Sequence, residues 1–156
     1  MSKAKFYYKD INAPKPNKPN HIGTTVIIKY KNEILLEKRI DSDRWALIGG
    51  GLELNESLEE GILREIKEET GLTIKEEKLK FWKIYSDPSR IAEYPDGNIL
   101  RVITVVYILE LEKKYKLTCS NESEELRYFN INELKNIKIA ETHKHIVEEY
   151  IMKIND

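Results

Sequence analysis

The chain has 156 residues and a mass of 18.4 kDa, the size of one domain that can bury a core without staples. Hydrophobic residues are 40%, charged residues 34% and the net charge is −1, which excludes a disordered chain and argues against a broad cationic footprint for nucleic acid. A single cysteine, Cys119, excludes an intrachain disulfide, and no apolar run reaches the length of a membrane span or a signal-peptide core, so the expected setting is the cytoplasm.

Residues 11–20, I-N-A-P-K-P-N-K-P-N, are loop-forming, so residues 1–20 are expected to be an arm and residues 21–156 the domain. The β-branched run His21–Tyr30 and the segment Glu33–Arg39 read as a hairpin around Lys31-Asn32. Trp45–Ile48 reads as a short strand that runs into Gly49-Gly50-Gly51. Ser57 and Glu60 fit a capping box, which starts a helix at Leu58, and Gly71 is placed to end it in a left-handed conformation.

Lys80–Ser86 reads as a strand ending in D-P-S-R, and Y-P-D-G-N at 94–98 is a turn. Ile99–Leu111 is the longest strand-like run. Glu124–Phe129 is a further strand, followed by a turn of helix at 131–134 and a tail helix at 140–152, with Ile146, Tyr150 and Ile151 inward. The order β-β-β-α-β-β-β-α implies an α+β fold, a mixed sheet packed by a central and a terminal helix.

The central helix carries the chemistry. Glu65, Glu68 and Glu69 share an arc of roughly 100°, while Leu58, Ile62 and Ile66 form an apolar stripe for the sheet. Gly61 inside the helix suggests that another backbone comes close. A helix of this kind is either an ordinary solvated face or a place where cations sit: carboxylates are hard ligands for Mg²⁺ or Mn²⁺, and a glycine run leaves backbone groups open to an ion or a phosphate. Spacing alone leaves both readings open.

Gly50, five residues, Glu56, seven residues, then Arg64-Glu65-Ile66-Lys67-Glu68-Glu69-Thr70-Gly71-Leu72 resembles the complete signature of the Nudix hydrolases. The resemblance runs from about His21 to the chain end. It implies an α/β/α sandwich and hydrolysis of a pyrophosphate link in a nucleoside diphosphate joined to another moiety, with Mg²⁺ or, in its place, Mn²⁺. It makes Glu68 and Glu69 the principal metal ligands, assisted by Glu65 and the Gly49 carbonyl, with Arg64 orienting the carboxylates. Glu53 and Glu56 stand behind them or bind further ions. Ile48 and Asn55 depart from the residues common in the family beside the glycines and ahead of Glu56, and neither position carries a ligand.

Water attack on phosphorus needs a base. Glu65 is the first choice, and Glu122 or a neighbour in N-E-S-E-E at 121–125 is the rival. Arg90 and Arg101, flanking the 86–97 loop, are the first candidates for phosphate contacts, with Arg39 and Arg44 behind them. Tyr7, Tyr8, Trp82, Tyr85, Tyr94 and Tyr128 are candidates to stack on a base. The expected substrate is a small nucleotide, either a nucleoside triphosphate or a nucleotide sugar such as ADP-ribose. No basic patch suits an RNA body. The competing class is a catalytically silent nucleotide sensor of the same fold, against which the complete glutamate set speaks. Many relatives are homodimers, and the Tyr7-Tyr8 pair is a candidate to pack across such an interface.

Overall fold

The computed structural model describes residues 3–155. Nine strands are present among them: β1 (Lys5–Tyr7), β2 (His21–Tyr30), β3 (Glu33–Arg39), β4 (Trp45–Ala46), β5 (Ile48–Gly51), β6 (Lys80–Tyr85), β7 (Ile91–Glu93), β8 (Ile99–Glu110) and β9 (Ser123–Asn130). The helices are α1 (Leu58–Thr70) and α2 (Glu141–Ile154).

β2 is the hub. It turns back into β3 only at Lys29↔Ile34 and Tyr30↔Glu33, pairs antiparallel with β5 at Gly23–Val26, and runs parallel to β8 from His21↔Val102 to Lys29↔Glu110. β3 pairs with β9 along its whole length, and β6 and β7 both pair with β8. Alternation along β2 sends Ile27 to one face, where it packs with Ile146, Val147 and Tyr150 of α2. Val26 and Ile28 go to the other face and meet Ile62 and Ile66 of α1. The result is a mixed, curled sheet between two helices.

Helix α1 has the expected ends. Ser57 and Glu60 form a reciprocal capping box, and the C-terminal residue Gly71 is left-handed with φ 80°. Gly61 differs from expectation: the atoms that exclude a side chain there belong to the side chains of Leu52 and Glu56, not to another backbone. The Trp45–Ile48 strand is interrupted, because the Leu47 amide donates to Nδ1 of His143 instead of to a neighbouring strand. The glycines that follow are themselves a strand, β5.

Two strands lie outside the expected order. β1, in the presumed arm, pairs with β7, and its Phe6 is buried with Ala4 and Ala92. Both are three residues long, too short for a periodic signal, and each is formed by its partner. Residues 1 and 2 of the arm lie outside the described residues. No helix among the described residues is long and apolar enough to cross a membrane.

Candidate active site

The glycine strand β5 and helix α1 meet at a cleft of about 410 Å³. Its wall includes Gly49, Gly50 and Gly51 from β5, Glu65 and Glu69 from α1, Glu37 and Arg39 from β3, and Tyr94 and Glu122 from loops. The glycines are there for space. A Cβ on Gly49 would stand 2.2 Å from the Thr24 carbonyl oxygen, and one on Gly50 would stand 2.5 Å from Oε1 of Glu65. The Glu65 carboxylate therefore occupies the room that a side chain on β5 would take.

Arg64 organises the acids on its own helix. Its Nε and one terminal nitrogen donate to both oxygens of Glu56 at 2.9 and 2.7 Å. The other donates to Glu65 at 3.0 Å and Glu68 at 3.2 Å, and a further bond reaches the Gly51 carbonyl at 3.1 Å. Glu53 lies farther off, 3.6 Å from Nε. Arg64, together with the Glu53 amide, holds the Glu56 carboxyl down to about 2. Glu56 is thus an anchor for Arg64. The same acids push the Arg64 guanidinium above its usual range.

Glu65 and Glu69 are buried, at 8% and 5% exposure, while Glu68 is exposed and turned onto Arg64. Burial raises the Glu65 carboxyl, with Arg64 opposing. Burial first, then Glu37 and Glu65, raises that of Glu69. Glu69 Oε2 has no hydrogen-bond partner although it is buried, which is costly for a carboxylate unless something else binds it. Among the described residues no three His, Cys, Asp or Glu side chains already stand in ligating geometry. The donor set still fits a hard divalent ion: carboxylate oxygens, an orphaned buried oxygen on a residue of the cleft wall, and a backbone stripped of side chains.

The two arginines expected first for phosphate are placed elsewhere. Arg90 is 1% exposed and spent on protein: it donates to the Val102 carbonyl at 2.7 Å, Thr104 Oγ1 at 2.9 Å, the Tyr85 carbonyl at 3.3 Å, His145 Nε2 at 3.1 Å and the Thr142 carbonyl. It pins β7 and β8 to α2 and cannot reach a substrate. Arg101 donates to the Ser86 carbonyl at 2.6 Å and does not line the cleft. Both expected turns are present, but β7 and β8 pair between and beyond them, which carries Arg101 into the sheet and draws Arg90 inward.

Arg39 and Tyr94, weaker candidates by sequence, do line the cleft, and Arg39 is held in a two-pronged pair with Asp41 at 2.7 and 2.6 Å. Phe6 of β1 packs on the Arg39 guanidinium at 4.9 Å and edge-on to Tyr94 at 6.4 Å. Tyr7 donates to Glu93, and Tyr8 stacks on His145 at 3.8 Å, so both are engaged within the chain. Glu37 was missed entirely. Its signal was faint: one acid closing the buried run I-L-L of β3.

A NUDIX domain model matches residues 19–150. The chain is 34% identical over 128 residues to an ADP-ribose pyrophosphatase of Methanocaldococcus jannaschii, covering 80% of this chain and 69% of that one. The crystal structure of a MutT/nudix family protein from Enterococcus faecalis superposes with a TM-score of 0.59 at 29% identity, over 76% of this chain and 46% of that one; this chain thus spans under half of that longer protein. The NUDIX domain of Shewanella oneidensis NrtR, solved with ADP ribose, shares the fold with a TM-score of 0.71 at 16% identity, over 88% and 90%.

Proposed function

The chain belongs to the Nudix hydrolase family, and on that premise we propose that it cleaves the pyrophosphate bond of a small nucleotide, with a nucleotide sugar such as ADP-ribose ahead of a nucleoside triphosphate. The observation that carries the reading is the buried, unpartnered Glu69 oxygen beside Glu65 at the glycine strand. The Methanocaldococcus relative supports the choice of ADP-ribose.

Glu69, Glu65, Glu68 and the Gly49 carbonyl would hold Mg²⁺ or Mn²⁺, which when bound supplies charge neutralisation and a more acidic water. Arg64 keeps the Glu65 and Glu68 carboxylates on one side of the helix. Glu68, exposed, has to leave Arg64 to join them. Arg39, fixed by Asp41, is the cation at the cleft wall nearest in kind to a phosphate partner, and Tyr94 offers an aromatic face there. Glu65 is the proposed base, lying against Gly50 where nothing separates it from the cleft; Glu122 is the other acid on the wall. Loss of the acidic limb of the pH–rate profile in Glu65→Gln but not in Glu122→Gln assigns the base, and the reverse pattern transfers the role.

The test is product analysis with Mg²⁺ and then Mn²⁺ across nucleoside triphosphates, ADP-ribose, other nucleotide sugars and diadenosine polyphosphates. Glu69→Gln should lower turnover by orders of magnitude with the fold intact. Near wild-type hydrolysis by that variant would sink the assignment, and silence across the panel with divalent binding intact would favour the sensor. We also propose a cytoplasmic homodimer. With Tyr7 and Tyr8 used inside the chain, the exposed Phe81 and Ile84 of β6 are the face it would use. A mass of 18.4 kDa by light scattering rejects the dimer.

A further inference from the structure

The family pattern lies on β5, α1 and the residues that join and follow them, yet the cleft contains a buried acid from another element. We propose that Glu37 is a further carboxylate of the cation site, delivered by β3 to the buried side of Glu69. The proposal rests on the cation-dependent reading above and extends it to a residue that the helix pattern does not contain.

Glu37 is 5% exposed and faces the same cleft as Glu65 and Glu69. The hydroxyl of Ser123, on the paired strand β9, donates to its Oε2 at 2.8 Å and fixes its rotamer. Its carboxylate neighbours that of Glu69, which in turn neighbours Glu65, and all three line one cleft. Three buried acids therefore stand in a chain. Of the nearby cations, Arg64 reaches only Glu65 among them, and Arg39 is committed to Asp41. Neither Glu37 nor Glu69 has a Lys or Arg partner among the described residues.

Two desolvated carboxylates placed against each other, with one oxygen of the pair left bare, are an unfavourable arrangement that a divalent ion corrects. A residue kept only for packing at this position would be served by an apolar side chain like its neighbours Leu35 and Leu36. Glu69, with its bare oxygen, lines the same cleft as Glu37, so an ion accepted there meets both strand and helix. Glu37 thereby ties the ion to β9 through Ser123, the residue after Glu122.

The experiment is Mn²⁺ titration of the full chain, by electron paramagnetic resonance, for wild type, Glu37→Gln, Ser123→Ala and Glu69→Gln, with thermal melts in the absence and presence of Mn²⁺. Glutamine keeps the bond from Ser123 and can donate to Glu69, so the fold is retained and the metal-free melting temperature holds or rises. The expected result is a loss of Mn²⁺ affinity of at least about tenfold in Glu37→Gln, a smaller Mn²⁺-induced rise in melting temperature, and a lesser loss in Ser123→Ala. A purely structural hydrogen bond would leave Mn²⁺ affinity unchanged. Wild-type affinity in both Glu37→Gln and Ser123→Ala, with binding lost in Glu69→Gln, overturns the proposal and leaves the functional reading standing. Absence of Mn²⁺ binding by wild type overturns both.

Discussion

Replacing Gly50 by alanine separates the site from the fold. The new methyl would stand 2.5 Å from Glu65 Oε1, and ordinary contact begins near 3.4 Å, so the carboxylate must retreat by about 0.9 Å. The obstructing atoms are the free end of a side chain, and Gly50 is not among the positive-φ residues, so the stability cost should stay under about 1 kcal/mol. A displacement near 1 Å of a positioned group costs about 10²-fold in rate, so kcat should fall by about two orders of magnitude. Gly49→Ala is the control: its methyl meets the Thr24 carbonyl at 2.2 Å at a φ of 156°, where backbone and not a side chain must yield. Steady-state kcat with Mg²⁺ and urea midpoints of both variants decide the matter. A Gly50→Ala enzyme with wild-type kcat, or one as unstable as Gly49→Ala, would refute the placement of Glu65.

Arg90→Met strands several buried acceptors and should cost about 3 kcal/mol without altering kcat per folded molecule; a raised KM at unchanged stability would return Arg90 to the substrate. Burial holds His143 down to about 3 and His145 to about 4, against 6.5 in the unfolded chain. The unfolded state then binds more protons, and each ring removes stability as pH falls from 6.5, by up to about 1.4 kcal/mol per unit. The raised carboxyls of Glu37, Glu65 and Glu69 act with opposite sign, so the ring's contribution is read as the difference in urea stability between wild type and His145→Gln from pH 7 to 4.5; a difference independent of pH contradicts it. Ser57→Ala should lower stability by about 1 kcal/mol through loss of the cap and leave kcat unchanged, as urea melts and rate assays will show.

Helix α1 was legible because its signals are local: cap, stripe, left-handed end and acid arc all lie within Ser57–Gly71. So were the long strands β2 and β8, whose β-branched runs need no partner to be recognised. Long-range placement was not legible. Arg90 and Arg39 look alike in a sequence, and only the β7–β8 pairing and the Asp41 contact make one a buried staple and the other a cleft wall. Glu37 is one acid within a strand, and its meaning comes from Ser123, whose hydroxyl reaches it from the neighbouring strand β9. Nothing local to Tyr7 and Tyr8 announced that β1 joins β7.

The parallel ladder between His21–Lys29 and Val102–Glu110 also sets an order in time. Everything from β3 to β7, helix α1 included, lies inside the crossover it closes. Such a closure is slow, because loop entropy is lost before the contacts that repay it are made. Helix α1 can meet β5 early, as its neighbour in the chain, but the β3–β9 ladder that brings Ser123 to Glu37 joins distant segments. Glu65 and Glu69 come together with α1, whereas Glu37 is pinned by Ser123 only once β9 has paired with β3, so the complete acid group belongs to the finished protein and not to the search for it. Divalent ions should accordingly slow unfolding while leaving the folding rate nearly untouched.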